Sequence, residues 1–178
     1  MGSLLRLQAD QSNPDTSRIL NKASGRLNSM MVLYDKLYRS DNFGNISLKE
    51  YLSSLIEEIT IIFPKKVLVE TEIEDIPINA KLLSSLGIII NELITNSMKH
   101  AFIRNDGIIT IKASITGTFI SLEYQDNGVG IPESVTFGNS TGFGMQLVQM
   151  LVEQIHGTIR IERGNGTKFV IEFEAASD

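Results

Sequence analysis

The sequence predicts an α+β chain, a two-layer α/β sandwich preceded by a helical hairpin, and three patterns in its 178 residues carry that expectation. Ile19, Ala23, Leu27, Met30, Tyr34 and Leu37 recur at spacings of four, four, three, four and three, the narrow seam of a helix that packs on another helix. Ile109, Ile111, Ala113 and Ile115 alternate with Thr110, Lys112 and Ser114, and Ile120, Leu122 and Tyr124 alternate again after Thr116-Gly117. That period of two is a β-hairpin. Beyond the seam the expected order is helix, strand, helix, two strands, helix, two strands, which puts helices on one face of a sheet.

Residues 3–10 read as the end of a helix, and SNPDT at 12–16 breaks it, because Pro14 offers no amide hydrogen and Asp15 or Thr16 can cap the next helix. The seam helix then packs on the same chain or closes a dimer. Residues 40–45 read as a loop. SLKEYLSSLIEEITIIF begins an amphipathic helix at Ser47, with Glu50 completing a capping box and Pro64 ending it. KKVLVETEI at 65–73 is the expected first strand, Asp75 to Asn79 a connection, and Ala80 to Phe102 one long helix. A stretch rich in Gly, Ser and Thr from Asp126 to Gly144 leads into a helix from Met145 to about His156. Strands centred on Ile159 to Ile161 and Phe169 to Phe173 finish the chain, and the expected domains are 1–44, the hairpin, and 45–178, the sandwich.

Composition excludes several functions. A net charge of −5 without a Lys/Arg cluster argues against a nucleic-acid surface, and 42% hydrophobic residues suit a globular core. The absence of cysteine removes disulfides and thiolate metal sites and is compatible with a cytoplasmic setting. No run approaches the length of a membrane helix, so no membrane contact is expected. Met1-Gly2-Ser3 reads as an added leader on a truncated fragment.

The chemistry gathers in four stretches. In NELITNSMKHAF, Glu92, Asn96, Lys99 and His100 fall within roughly 100° of one helical arc, opposite the apolar Leu83, Leu86, Ile90, Leu93, Ile94 and Ala101. That stripe combines a carboxylate, an amide oxygen able to ligate a hard cation, and two phosphate donors. DNGVGIPE starts as a tight turn, but a second glycine lets backbone approach a ligand closely at Gly128 and Gly130, and Asp126 can accept from an exocyclic amine. TGFGMQLV sets Gly142 and Gly144 before a helix, where backbone amides attract anions; it lacks the Gly-Lys-Ser/Thr ending of a P-loop. Gly164-Asn165-Gly166-Thr167 is a hairpin turn whose Thr167 touches ligand if the turn lies over the site.

In this order and spacing, NELITNSMKHAF, DNGVGIPE, TGFGMQLV and GNGT resemble the N box, the two glycine boxes and the Gly-Thr element of the Bergerat ATP-binding fold. Together with RLNSMMVLYDKLYRS upstream, they resemble sensor histidine kinases of the HWE and HRXXN type over about Leu4 to Phe173. The resemblance implies ATP and Mg²⁺ as cofactors, with Asn96 as the metal ligand and Glu92 and Lys99 as catalytic residues. It implies that Glu92 polarises the nucleophile or helps order the metal, and that Lys99 and His100 face phosphates or ribose. Asp126 would bind the adenine amino group, Gly128 and Gly130 would shape the base pocket, Gly142 and Gly144 would admit phosphates, and Pro132 to Thr141 would be the lid. A response regulator is the implied partner and a homodimer the implied parent. The phosphoacceptor histidine of such kinases precedes the segment matching SLLRLQ, and the histidines here are His100 and His156. A fragment that binds ATP and cannot phosphorylate its own cognate histidine is the expectation. An anti-sigma-type serine/threonine kinase and a silent nucleotide-binding module are the alternatives, and the helical seam counts against the first.

Overall fold

The computed structural model describes residues 46–61, 66–103, 106–137 and 142–175, with scattered helical positions between Thr16 and Met31. Within the expected seam helix Ile19, Ala23 and Leu27 are helical, and Ile19 and Leu27 are exposed. Met30, Tyr34 and Leu37, the helix end at residues 3–10, the start of the SNPDT break, the loop at 40–45 and the stop at Pro64 lie outside the described residues.

Strand β1, Ile46–Ser47, runs into helix α1, Leu48–Ile61. Ser47 caps it: its Oγ accepts from the Glu50 amide at 3.1 Å and donates to Asp75 Oδ1 at 2.5 Å. The helix buries Leu48, Tyr51, Leu52, Leu55, Ile56 and Ile59, spaced three and one apart, which is the one-sided stripe of an amphipathic helix. Strand β2 spans Lys66–Ile73, and a two-residue strand β3, Pro77–Ile78, pairs antiparallel with β1 inside what the sequence reads as a plain connection.

Helix α2, Ala80–Asn96, starts under an Asn79 cap whose Oδ1 accepts from the Leu82 amide at 2.9 Å. Almost every residue from Leu82 to Ile94 is buried, so α2 is the central helix rather than a surface one. The expected continuous helix to Phe102 is corrected here. Ser97–Ala101 form one turn of π-helix, in which the Phe102 amide donates to the Ser97 carbonyl at 3.4 Å. The wider turn is held by tertiary bonds that helical periodicity does not reveal: the Val129 amide donates to the Ala101 carbonyl at 3.0 Å, and Ser97 is tied to the sheet.

Strands β4, Asp106–Thr116, and β5, Phe119–Asp126, form the expected hairpin. Helix α3, Phe143–Gln154, begins two residues before the expected Met145, and β6, Thr158–Gly164, and β7, Gly166–Glu174, complete a sheet of order β2-β4-β5-β7-β6. Only β2 and β4 are parallel, because α2 carries the chain across between them; every other pairing in this sheet is antiparallel. The inward residues Ile109, Ile111, Ile120, Leu122, Tyr124, Phe169 and Ile171 meet the helices in one core. Outward, Lys112 pairs with Glu72 at 2.6 Å, Arg160 with Glu172 at 2.9 Å and the half-buried Lys168 with Glu123 at 3.0 Å, a charged, partly exposed face. Exposed pairs of this kind add little stability and keep the face wet.

Candidate functional site

The end of α2, the turn after β5, the start of α3 and the first residues of β7 converge on one cleft of about 470 Å³. Of the residues singled out in the sequence, Asn96, His100, Asp126, Gly130, Gly142 and Thr167 line it. Glu92, Lys99, Gly128 and Gly144 do not lie on its wall, and they bear on it in different ways.

Asp126, 3% exposed, ends β5 with its carboxylate at the cleft. Its Oδ1 accepts from the amides of Gly128 at 3.0 Å and Thr167 at 3.3 Å, and its Oδ2 accepts from Ser97 Oγ at 2.7 Å. Ser97 in turn accepts from the buried Tyr124 hydroxyl at 2.9 Å. Burial pushes the Tyr124 hydroxyl well above the usual tyrosine range; its bond to Ser97 works against that, and the Asp126 charge adds a smaller push upward. Gly166 opens β7 at φ +88°, and a Cβ there would collide with the Asp126 carbonyl oxygen. Only glycine fits that position.

Asn96 closes α2, and its Nδ2 donates to the Met145 sulfur at 3.6 Å. Glu92, one turn earlier, is 1% exposed and lies under the first turn of α3. A Cβ on Gly144 would sit 2.5 Å from Glu92 Oε2, so the glycine there makes room for a carboxylate. An acid at a helix amino terminus is also favoured by the helix dipole. Lys99 and His100, on the π turn, are both exposed at this end of the helix. Gly128 packs on that same turn, where a Cβ would collide with the Ala101 Cβ. Gly142 is the residue preceding α3 and Gly144 is inside it, a shift from the expected position of both before the helix.

The first half of the expected lid, Pro132 to Phe137, is tied down at two points. Arg163 of β6 donates to the Val135 carbonyl at 2.6 Å, and the Phe137 ring meets the Phe169 ring edge-on with centroids 6.4 Å apart. Residues 138–141 lie outside the described residues. Sequence reasoning missed Ser97, Tyr124, Met145 and Arg163. Tyr124 carried a signal, since an inward-facing tyrosine on a strand must find a partner for its hydroxyl. Ser97 carried none, because a serine beside Asn96 looks like filler in an apolar helix.

Residues 83–177, more than half of the chain, match the family described as histidine kinase-, DNA gyrase B-, and HSP90-like ATPase. The chain belongs to that family. Residues 1–63 match a histidine kinase family as well, so this ATPase domain follows a histidine kinase region. Over 97% of its length the chain is 26% identical to "Blue-light-activated histidine kinase 2" of Erythrobacter litoralis, covering 51% of that protein. Over 96% it is 28% identical to "Sensor histidine kinase PdtaS" of Mycobacterium tuberculosis, covering 36% of it. The chain therefore spans about half or less of the length of these relatives. Among solved structures, the histidine kinase domain of an E. litoralis blue-light-activated histidine kinase superposes with a TM-score of 0.79 at 22% identity, over 97% of this chain and 83% of that one. The ATPase domain thus shares that fold, helices on one face of a mixed five-stranded sheet. No described helix is long and apolar enough to cross a membrane.

Proposed function

We propose that this chain is the ATP-binding catalytic fragment of a two-component sensor histidine kinase. A nitrogen of the acceptor histidine bonds to the γ-phosphorus as the bond to the β,γ-bridging oxygen breaks and ADP leaves, and a response regulator then takes the phosphoryl group. In this reading neither His100, on the cleft wall, nor His156, just past α3, is the acceptor. The observation that carries the reading is the Asp126 carboxylate, buried at the cleft wall and held by three donors, which suits the exocyclic amine of adenine.

The remaining roles come from the chemistry of each group. Asn96 fits a hard divalent cation: its amide hydrogens face the Met145 sulfur, and its oxygen is the half of the carboxamide that ligates. Among the described residues no cluster of three or more His, Cys, Asp or Glu offers a stronger site. Bound Mg²⁺ would neutralise triphosphate charge, with phosphates and water completing its shell. Lys99 and His100 would donate to phosphates, the amides at the start of α3 beside Gly142 and Gly144 would attract them, and Gly128 and Gly130 would leave room for the base. Glu92, under α3 and beside Asn96, would keep the phosphate side in register and reach the nucleophile only if α3 shifts. Thr167 would close the base pocket with its backbone amide on Asp126. The histidine kinase match over residues 1–63 supports this reading over an anti-sigma-type kinase, and the exposed Ile19 and Leu27 of the seam support a homodimeric parent; the cysteine-free sequence suits a cytoplasmic catalytic part.

The test is a nucleotide titration of this chain with and without Mg²⁺. Asp126→Ala should weaken ATP binding at least about 100-fold, as expected for a lost charge-assisted recognition in a buried site. Asn96→Ala should remove the Mg²⁺ dependence and leave metal-free binding nearly intact. Unchanged affinity in both variants, with folding verified by thermal melting, rejects the assignment.

A further inference from the structure

Tyr124 is linked through Ser97 to Asp126 by buried hydrogen bonds of 2.9 and 2.7 Å, and the Asp126 end of that link lies on the cleft. We propose that Ser97 and Tyr124 are positioning residues that set the base selectivity of the cleft, an inference that rests on Asp126 being the base-binding acceptor. Counting hydrogens fixes the direction of the chain. Asp126 has no proton to give when ionised, so the single Ser97 hydrogen goes to Oδ2 at 2.7 Å. Ser97 Oγ is then the acceptor for the single Tyr124 hydrogen at 2.9 Å, and the Leu93 carbonyl at 3.2 Å is the second, longer choice for that hydrogen.

The same count limits what Asp126 can do next. Its Oδ1 already takes the Gly128 and Thr167 amides, and among the described residues Oδ2 takes only Ser97. A carboxylate oxygen has two lone pairs, so one acceptor position remains, on Oδ2. It meets a ligand that brings one donor, such as a 6-amino purine. A 6-oxo purine instead presents an oxygen to that oxygen, which costs the unpaired desolvation of both. Ser97 also stops the carboxylate from turning, because rotation about its bond to Cβ would break the shortest of its three contacts. Removing the serine hydroxyl frees Oδ2 to take either of two positions and lets a water or a differently placed donor into the pocket.

The experiment compares MgATP with MgITP, which differ at the 6-position of the purine and not in the phosphates. The chain itself should prefer ATP, and Asp126→Asn should erase the preference. Ser97→Ala should lose about tenfold in ATP affinity, the scale of one hydrogen bond to a charged group, with ITP affinity nearly unchanged. Ser97→Thr, which keeps the hydroxyl, should restore most of the ratio, and Tyr124→Phe should move it in the same direction by less. A purely structural role for Ser97 would lower both affinities together or only the melting temperature. Equal losses for ATP and ITP in Ser97→Ala, or no loss while Asp126→Asn abolishes the preference, overturn this inference and leave the base-binding assignment standing. An unaltered preference in Asp126→Asn overturns both.

Discussion

Two kinds of single residue carry consequences that their neighbours in sequence do not announce. Burial raises the Tyr51 and Tyr124 hydroxyls above their ordinary 10.0. A proton held more tightly in the folded state stabilises it fully below pH 10, and that stability is lost above, as the unfolded chain ionises first. Stability should therefore decline as pH rises past about 10, and absorbance at the tyrosinate band should show these two rings titrating together with unfolding rather than before it. His156 is the other case. It takes φ +53° at the end of α3, its amide bonding to the Glu153 carbonyl at 3.0 Å and that of Gly157 to Val152 at 2.9 Å, a Schellman ending with histidine where glycine is usual. Glycine is the usual residue for that conformation, but a Cβ on the neighbouring Gly157 would stand 2.9 Å from the Glu172 carbonyl oxygen, so that glycine serves close approach to β7 instead. Relief of the left-handed strain should outweigh the added chain entropy, and His156→Gly should raise stability by roughly 0.5 kcal/mol in a denaturant titration.

At the scale of elements, a glycine in the middle of a buried helix needs a reason, since it costs about 1 kcal/mol against alanine. In α2 the reason is Tyr51 of α1: a Cβ on Gly87 would overlap its hydroxyl oxygen. Gly87→Ala should destabilise the domain by about 1–3 kcal/mol despite its better helix propensity, and Gly87→Ala in a Tyr51→Phe background should recover part of that loss. Helices α1, α2 and α3, the β4 and β5 hairpin, the Ser47 cap and the glycine turns were legible because each is written in local periodicity or in a residue with one conformational use. Asp126, Asn96 and the glycines of the cleft were legible for the same reason. The π turn at Ser97, the two-residue strands β1 and β3 and the position of Gly144 inside α3 were not. Each depends on a partner far along the chain: Ala101 with Val129, Ser47 with Pro77, Gly144 with Glu92. Gly144→Ala should therefore act through Glu92 and weaken binding of the phosphates more than of the base, which a comparison of ATP and adenosine affinities would reveal.

For the whole molecule, the cleft joins the end of α2 to β5, α3 and β7, elements distant in the chain, so nucleotide binding and folding are coupled. ATP at a hundred times its dissociation constant should add about 2.7 kcal/mol and raise the melting temperature by roughly 5–10 °C, and the rise should vanish in Asp126→Asn. The bond from the Thr167 amide to Asp126 joins residues 41 apart in the chain. Loops that long close late, after the local β4 and β5 hairpin and the α2 helix have formed. The floor of the nucleotide cleft thus assembles after those local elements. A chain still emerging from synthesis cannot hold ATP until α3 and β7 have arrived, so the ligand can never trap a half-made domain; it stabilises only the finished one.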